Sequence, residues 1–311
     1  MKIISQEEVQ KALKYPEFIH DLKDAYGRSY TMPPRNVFLL DSDGSSNDAF
    51  ALLPSWNEEV IAVKSFTYLP GNRPPFKILY SKILLFDREH GEPLALVDGT
   101  SCTYYRTAGV SALASLFLSR ENSETLFLLG AGNLAPYIMK AHASVRPLKK
   151  ILLYDKTPSK ARELITQISS QLPGIEFSIP SDIQSGCAGA DIIVSATSSH
   201  DILVYGDWVK EGTHTDFIGN HHADKRECDT TLILKSKVYV DTYVNCFKEA
   251  GEVIIPMEEG VFSKEKVVGE LAELCTDSVP KRQSDSEITL FKAVGNALSD
   301  LVAAYQTYKS L

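Results

Sequence analysis

Two sets of residues in this chain have the types and spacing to do chemistry. The first is Gly130-Ala131-Gly132-Asn133-Leu134-Ala135. It lies between an apolar run, Thr125 to Leu129, and a helical stretch leading to a second run, Ile151 to Tyr154, which ends on Asp155. Strand, glycine turn, helix, strand and acid in that order form a dinucleotide fingerprint. Gly130 permits the tight turn, Gly132 lets the backbone approach a pyrophosphate, and Ala135 replaces the third glycine, where helix packs on strand. Asn133 and Leu134 complete the phosphate cradle at the positive end of the helix, and Pro136 fits its first turn. Asp155 stands where a carboxylate binds a ribose 2′-hydroxyl, which favours NADH and repels a 2′-phosphate. Lys156, Thr157 and Lys160 offer two cations and a hydroxyl to that phosphate, so NADPH stays open beside NADH.

The second set is three cations in unusual places. Arg35 follows a Pro-Pro turn, Lys64 sits inside a mostly apolar strand (Val60 to Phe66), and Arg106 opens a small, apolar helix from Thr103 to Leu118. A lysine in a buried strand needs a partner, because an isolated buried charge is expensive. Each of the three suits a structural ion pair as well as it suits a ligand. Arg106 has the further option of a carboxylate or a cofactor phosphate, both of which a guanidinium matches with two parallel hydrogen bonds.

The elements that must hold these residues fall into two patterns. Before about residue 100, Ser5 with Glu7 and Glu8 starts a helix expected to continue to about Tyr26. Short β-rich runs follow at Asn36 to Leu40, Ala49 to Leu53, Val60 to Tyr68, Ile78 to Asp87 and Pro93 to Val97. Turns at Asp41 to Asn47, Gly71 to Pro75 and Arg88 to Glu92 separate most of them. This spacing predicts an antiparallel or mixed sheet. From Thr125 the pattern is α/β, with strands expected at 125–129, 150–154, 175–179, 191–196, 214–218 and 237–241. An amphipathic helix is expected from Pro158 to Leu172, capped by Thr157. The alternation predicts a mostly parallel sheet covered on both faces. The strand ends Thr197-Ser198-Ser199 and Gly219-Asn220-His221-His222 then lie at the carboxyl edge, where ligands of such sheets bind. A hydroxyl of Thr197 or Ser198 there can reach a nicotinamide amide or ribose. Glu287 to Tyr308 reads as one helix with a stripe of Phe291, Val294, Leu298, Leu301, Val302 and Tyr305. Gly295 interrupts it where a cofactor can approach closely.

With 311 residues the chain is long enough for two cores. A net charge of -8 argues against a broad nucleic-acid surface. No apolar run approaches the roughly 18 residues of a membrane span, and MKIISQEEV has no signal-peptide core. The five scattered cysteines contain no CxxC pair and read as reduced cytoplasmic thiols. No metal site is expected: adjacent His221 and His222 rarely present both rings to one ion, and no further ligand is spaced to complete a set.

Larger matches surround these residues: Pro34-Arg35, Val63-Lys64 in VKSFTYLPGN, Gly91-Glu92-Pro93-Leu94-Ala95-Leu96-Val97-Asp98-Gly99, Tyr105-Arg106-Thr107-Ala108 leading into SALAS, GAGN at Gly130, and LFKAVGNALSDL. Over nearly its whole length the sequence resembles the ornithine cyclodeaminase/μ-crystallin family. The resemblance implies an α/β fold in which a Rossmann dinucleotide domain, 119–287, accompanies an α+β substrate-binding and dimerisation domain, 1–118 with 288–311, completed by the C-terminal helix. It implies a homodimer using NAD(H) or NADP(H) on the α-carbon of small amino or imino acids. Arg35, Lys64 and Arg106 would hold the substrate carboxylate, and Arg106 with Thr107 would also approach the cofactor.

Within the family, the cyclodeaminases resemble a GGD pattern whose aspartate holds the substrate's amino group; alanine dehydrogenases share it. Here His221 occupies that place and cannot supply the same fixed negative charge. The stretches DAFALLPSW and GNHHADKRECDTT are instead similar to the family's ketimine-reducing members. These convert Δ1-pyrroline-2-carboxylate to L-proline, and often Δ1-piperideine-2-carboxylate to L-pipecolate. The resemblance therefore implies hydride transfer to an imine carbon, with Lys64 and His221 nearest the chemistry and a catabolic role in 3-hydroxyproline use. Ornithine cyclisation, amino-acid dehydrogenation and non-catalytic ligand binding of the μ-crystallin kind are the other activities the family would allow.

Overall fold

The structure, a computed structural model, describes residues 1–41 and 46–311. The turn expected at Asp41 to Asn47 falls partly outside them. The chain forms two units, one of Met1–Arg106 with Asn296–Leu311 and one of Thr107–Gly295.

The first unit is built on a six-stranded mixed sheet. Its strands are β1 (Lys2–Ile4), β2 (Asn36–Leu39), β3 (Ala49–Trp56), β4 (Val60–Tyr68), β5 (Leu79–Asp87) and β6 (Pro93–Asp98), in the spatial order β1-β6-β5-β4-β3-β2. β1 runs parallel to β6 and the other pairs are antiparallel. Alternate residues of β3 are buried, including Ala49, Ala51, Leu53 and Ser55. Such alternation marks a sheet with one covered face. Helix Ala297–Lys309 packs on β3, β4 and β5 and against helix Glu17–Tyr26. Its start is pinned: Asn296 caps it by accepting from the Ser299 amide at 3.2 Å and also accepts from the Tyr26 hydroxyl at 2.9 Å.

The single N-terminal helix expected to reach Tyr26 is two, Gln6–Ala12 and Glu17–Tyr26. Ser5 and Glu8 form a capping box at the first, and the second starts after Pro16. A proline lacks the N–H that would continue the first helix and pushes the preceding residue out of helical conformation. The helix expected from Thr103 begins at Gly99 and runs to Leu118, so Arg106 lies in its second turn rather than at its start.

The second unit holds eight parallel strands: β7 (Thr125–Leu129), β8 (Lys150–Tyr154), β9 (Glu176–Ser178), β10 (Ile192–Ser195), β11 (His214–Phe217), β12 (Ser236–Val240), β13 (Val267–Glu270) and β14 (Ile288–Lys292). Their order is β13-β12-β14-β11-β10-β7-β8-β9. Strand order reverses between β7 and β10, the switch point of a Rossmann-type sheet. β14 corrects the reading of Glu287 to Tyr308 as one helix. Ile288–Lys292 is a strand buried at every position between β11 and β12, with Phe291 in it and Val294 in the turn beyond. Only Leu298, Leu301, Val302 and Tyr305 of the expected stripe are helical. Gly295, at φ +83°, makes the turn between strand and helix.

One buried polar group stands out in this unit. The Ser111 hydroxyl donates to Asp216 Oδ2 and meets His142 Nε2 at 2.9 Å. Burial pushes the Asp216 carboxyl up to about 7 and the His142 imidazole down to about 3. Among the described residues no helix is long and apolar enough to cross a membrane.

Candidate active site

Lys64 lies in the middle of β4, on the same face as Val60 and Ala62, where the alternation of the strand calls for an apolar residue. Its ammonium meets Asp300 Oδ1 at 2.9 Å and donates to the Thr103 hydroxyl at 2.6 Å. Thr103 in turn donates to the Gly99 carbonyl at 2.7 Å, which leaves its oxygen free to accept from Lys64. One turn further along the same helix, Arg106 Nε donates to the same Asp300 oxygen at 3.0 Å. The side chains of Lys64, Arg106 and Asp300 are 4%, 12% and 2% exposed.

Burial opposes charge on Lys64 and on Asp300, and the geometry decides the outcome. Desolvation pushes the Asp300 carboxyl up, but Arg106 and Lys64 outweigh it and hold the group below the ordinary carboxylate range. For Lys64 desolvation wins over the pull of Asp300, and its pKa falls. Two cations share one carboxylate, so the cluster carries one surplus positive charge. Asp300 Oδ2 is buried and has no hydrogen-bond partner among the described residues. A carboxylate-bearing ligand matches that surplus. Arg35, half-buried, stands at the start of β2, two strands from β4 in the sheet.

Asp300 was not among the expected site residues. The signal lay in the question Lys64 raised: a buried lysine needs a counter-charge. Asp300 is the one acid in LFKAVGNALSDL, sited among Leu298, Leu301 and Val302.

The glycine turn occupies the carboxyl end of β7. Gly130 has φ +102°, and a Cβ there would lie 2.7 Å from the Ala196 carbonyl oxygen. A Cβ on Gly132 would meet nothing within 4 Å, so this position opens away from the protein. Ala135 is buried at the start of helix Ala135–Val145, as helix–strand packing requires. The helix's own first amides are taken, Ala135 donating to the Gly132 carbonyl at 3.0 Å and Tyr137 to the Leu134 carbonyl at 3.1 Å, and Pro136 has none. The backbone offered to a phosphate is therefore that of the turn at Gly132, Asn133 and Leu134, at the positive end of the helix. The Asp155 carboxylate is held from both sides, accepting from the Ala131 amide at 3.0 Å and from the Thr157 amide at 2.8 Å. Lys156, Thr157 and Lys160 are exposed beyond it, as are Asn133 and Ser198, while Leu134, Thr197 and Gly295 are half-buried. An open cradle at Gly132, a helix start and a fixed carboxylate fit a dinucleotide: the amides would hold its pyrophosphate and Asp155 its ribose.

At the ends of β10 and β11 the structure adds a residue the sequence reading left out. Fully buried Glu227 accepts from Ser195, Thr197 and Gly219. Its neighbour in the network is the buried pair Lys292–Glu252, 2.8 Å apart. Beyond Gly219, His221 is exposed and stacks on His222 with ring centroids 4.7 Å apart. Burial, reinforced by Lys225, lowers the His222 pKa. Gly295 donates its amide to Asp241 at 2.8 Å.

A model of the ornithine cyclodeaminase/mu-crystallin family matches residues 2–311. The chain belongs to this family. Among similar members of the family is a Δ1-pyrroline-2-carboxylate reductase of Colwellia psychrerythraea, 51% identical over 314 residues that cover 100% of this chain and 99% of the relative. The solved Thermococcus litoralis Δ1-pyrroline-2-carboxylate reductase in complex with NADH and L-proline is 32% identical, with a TM-score of 0.94 over 100% of this chain and 97% of that one. An archaeal alanine dehydrogenase dimer with bound NAD is 25% identical, with a TM-score of 0.91 over 100% and 95%.

Proposed function

We propose that this protein is an NADH-dependent reductase of cyclic ketimine carboxylates, converting Δ1-pyrroline-2-carboxylate to L-proline, with the six-membered homologue as a further substrate. The observation that carries the reading is the buried surplus of positive charge at Lys64 and Arg106, which calls for a carboxylate. The Colwellia and Thermococcus relatives, named for this activity, support it.

In this reading Arg106 and Lys64, with Arg35, hold the carboxylate next to the C=N bond. That bond's orientation follows from the carboxylate's, because the carboxyl carbon is bonded directly to the imine carbon. Bound NADH supplies the hydride to the imine carbon. A protonated imine nitrogen accepts the electron pair without becoming an anion, so orientation and charge placement supply most of the rate. Lys64 lies nearest the chemistry, and His221, exposed at the end of β11, is the candidate proton source. Gly130, Gly132, Asn133, Leu134 and Asp155 hold the adenosine diphosphate half of the cofactor, with Thr107, Thr197, Ser198 and Gly295 serving the rest. Lys156, Thr157 and Lys160 give NADPH a weaker foothold.

The protein acts as a homodimer in the cytoplasm, in keeping with its buried thiols at Cys102, Cys187, Cys228 and Cys246. The edge strand β2 and the residue after it expose Val37, Phe38, Leu39 and Leu40 at 54%, 51%, 60% and 53%. An edge strand apolar on both faces is a template for pairing with a second copy, and the alanine dehydrogenase neighbour is a dimer. Use of 3-hydroxyproline is the pathway the resemblance favours.

Loss of NADH absorbance on adding pyrroline-2-carboxylate, with L-proline as product, is the expected result. No turnover with either ring size, alongside ammonia release from L-ornithine or reductive amination of pyruvate, would overturn the proposal.

A further inference from the structure

Three loops leave the carboxyl edge of the parallel sheet after β10, β11 and β14. They converge on one set of buried charges that the proposed chemistry does not use. Glu227 Oε1 accepts from the Ser195 hydroxyl at 2.6 Å, the Thr197 hydroxyl at 2.7 Å and the Thr197 amide at 3.1 Å. Its Oε2 accepts from the Gly219 amide at 3.1 Å. One carboxylate thus ties the end of β10 to the turn after β11. Those two backbones are in contact: a Cβ on Gly219 would lie 2.2 Å from the Thr197 carbonyl oxygen. Glu227 is itself fixed, since its amide donates to Glu252 Oε1 at 3.0 Å. The other oxygen of Glu252 meets Lys292 Nζ at 2.8 Å, and Lys292, the last residue of β14, donates to the Asn220 carbonyl at 2.6 Å.

None of Glu227, Glu252 and Lys292 is exposed to solvent. Apolar side chains of similar volume would fill this space at no greater cost, because buried ion pairs rarely stabilise a fold on balance. What the charged set adds is direction: each hydrogen bond fixes a loop atom that apolar packing would leave free to slide.

We propose that Glu227 is a positioning residue, with Lys292 and Glu252 as its supports. It sets the relative placement of Thr197-Ser198 and Gly219-Asn220-His221 so that they receive the nicotinamide half of the cofactor, while the glycine turn at Gly130 receives the other half. The inference rests on the proposed use of NADH and adds a division of labour within the cofactor site.

The test compares two ligands. ADP-ribose carries the half of NADH that the glycine turn holds and lacks the nicotinamide. Binding of each is measured by calorimetry on wild type, Glu227→Gln and Ser195→Ala, with thermal melting alongside. Glutamine keeps the shape of Glu227 but turns an amide donor against a donor. The expected result for Glu227→Gln is NADH affinity about tenfold weaker, the scale of one charge-assisted hydrogen bond, with ADP-ribose affinity unchanged. Ser195→Ala removes one donor and leaves the carboxylate. It should show the same selective loss in smaller degree, and it decides the matter if Glu227→Gln does not fold. Equal loss of both ligands, or a lower melting temperature with neither affinity changed, would reduce Glu227 to a structural residue and overturn the inference. A wild type that binds neither NADH nor ADP-ribose would instead count against the proposed function itself.

Discussion

The Lys64 ammonium and the Asp300 carboxylate meet at 2.9 Å inside the first unit, and both are shut away from solvent. Asp300 gives that same oxygen to Arg106. Its removal would leave two cations facing each other without a counter-ion. Asp300→Asn, which keeps size and shape, is expected to lower unfolding free energy by about 3–5 kcal/mol, the usual result of breaking a buried pair from one side. Urea denaturation measures it. A loss below about 1 kcal/mol, the level of an exposed pair, would mean that Lys64 and Arg106 do not depend on this carboxylate.

Lys64→Met tests the other partner. Methionine fills the lysine's path through the core and removes the charge. KM for pyrroline-2-carboxylate should rise by roughly 10- to 100-fold, as loss of a charge-assisted hydrogen bond predicts, while the dissociation constant of NADH stays within about twofold. Equal weakening of substrate and cofactor would undo the assignment of Lys64 to the carboxylate.

These two residues show what the sequence can disclose. Lys64 and Arg106 were legible because each interrupts an apolar element, and charge in such a place demands an explanation. Asp300 was not, because its partnership spans the chain from β4 to the last helix, and one acid on a helix reads as solvent-facing. The glycine turn was legible in full: β7, β8 and the buried Ala135 fall where the fingerprint requires. β14 was misread for a physical reason. A central parallel strand is buried on both faces, so ITLFK shows no alternation, and a short apolar run fits a helical stripe equally well. Ile288 and Thr289, both β-branched, and the stop at Gly295-Asn296 were the cues against a helix. Glu227 carried no cue, since a charged residue in a polar loop is ordinary until its burial is known. Lys292, by contrast, interrupts the apolar run ITLFKAV as Lys64 does its strand, and was hidden by the helical reading of that run.

Cofactor choice follows from Asp155, whose two oxygens are fixed by the Ala131 and Thr157 amides. A carboxylate so held cannot swing away from a 2′-phosphate. Wild type is expected to have the higher kcat/KM with NADH. Asp155→Ser should raise the NADPH-to-NADH ratio of kcat/KM by about tenfold or more, because Lys156 and Lys160 then act without an opposing charge. A wild-type preference for NADPH would refute the argument.

Stability should depend on pH through Asp216. Its carboxyl is raised from 3.8 to about 7 by burial, against a smaller lowering by the Ser111 hydrogen bond. The folded state therefore binds a proton that the unfolded chain has released. That contribution is complete below about pH 4 and is lost as pH rises through about 7. His142, lowered from 6.5 to about 3 by burial and by Arg146, works the other way and costs stability as pH falls below 6.5. Asp216→Asn removes the first dependence alone. Its melting temperature should gain on wild type between about pH 5 and pH 8, by roughly 2–4 °C for each kcal/mol involved. A constant difference across that range would show that Asp216 does not titrate there.

The chain leaves its first unit at Arg106 and returns to it only at Asn296. A ribosome making this protein therefore produces Lys64 and Arg106 before Asp300, with the whole parallel sheet synthesised in between. Until then the nascent polypeptide carries two positive charges that its own interior cannot yet accept. Translation products that stop short of Asn296 should be dependent on chaperones and inert, however well their nucleotide-binding portion has folded.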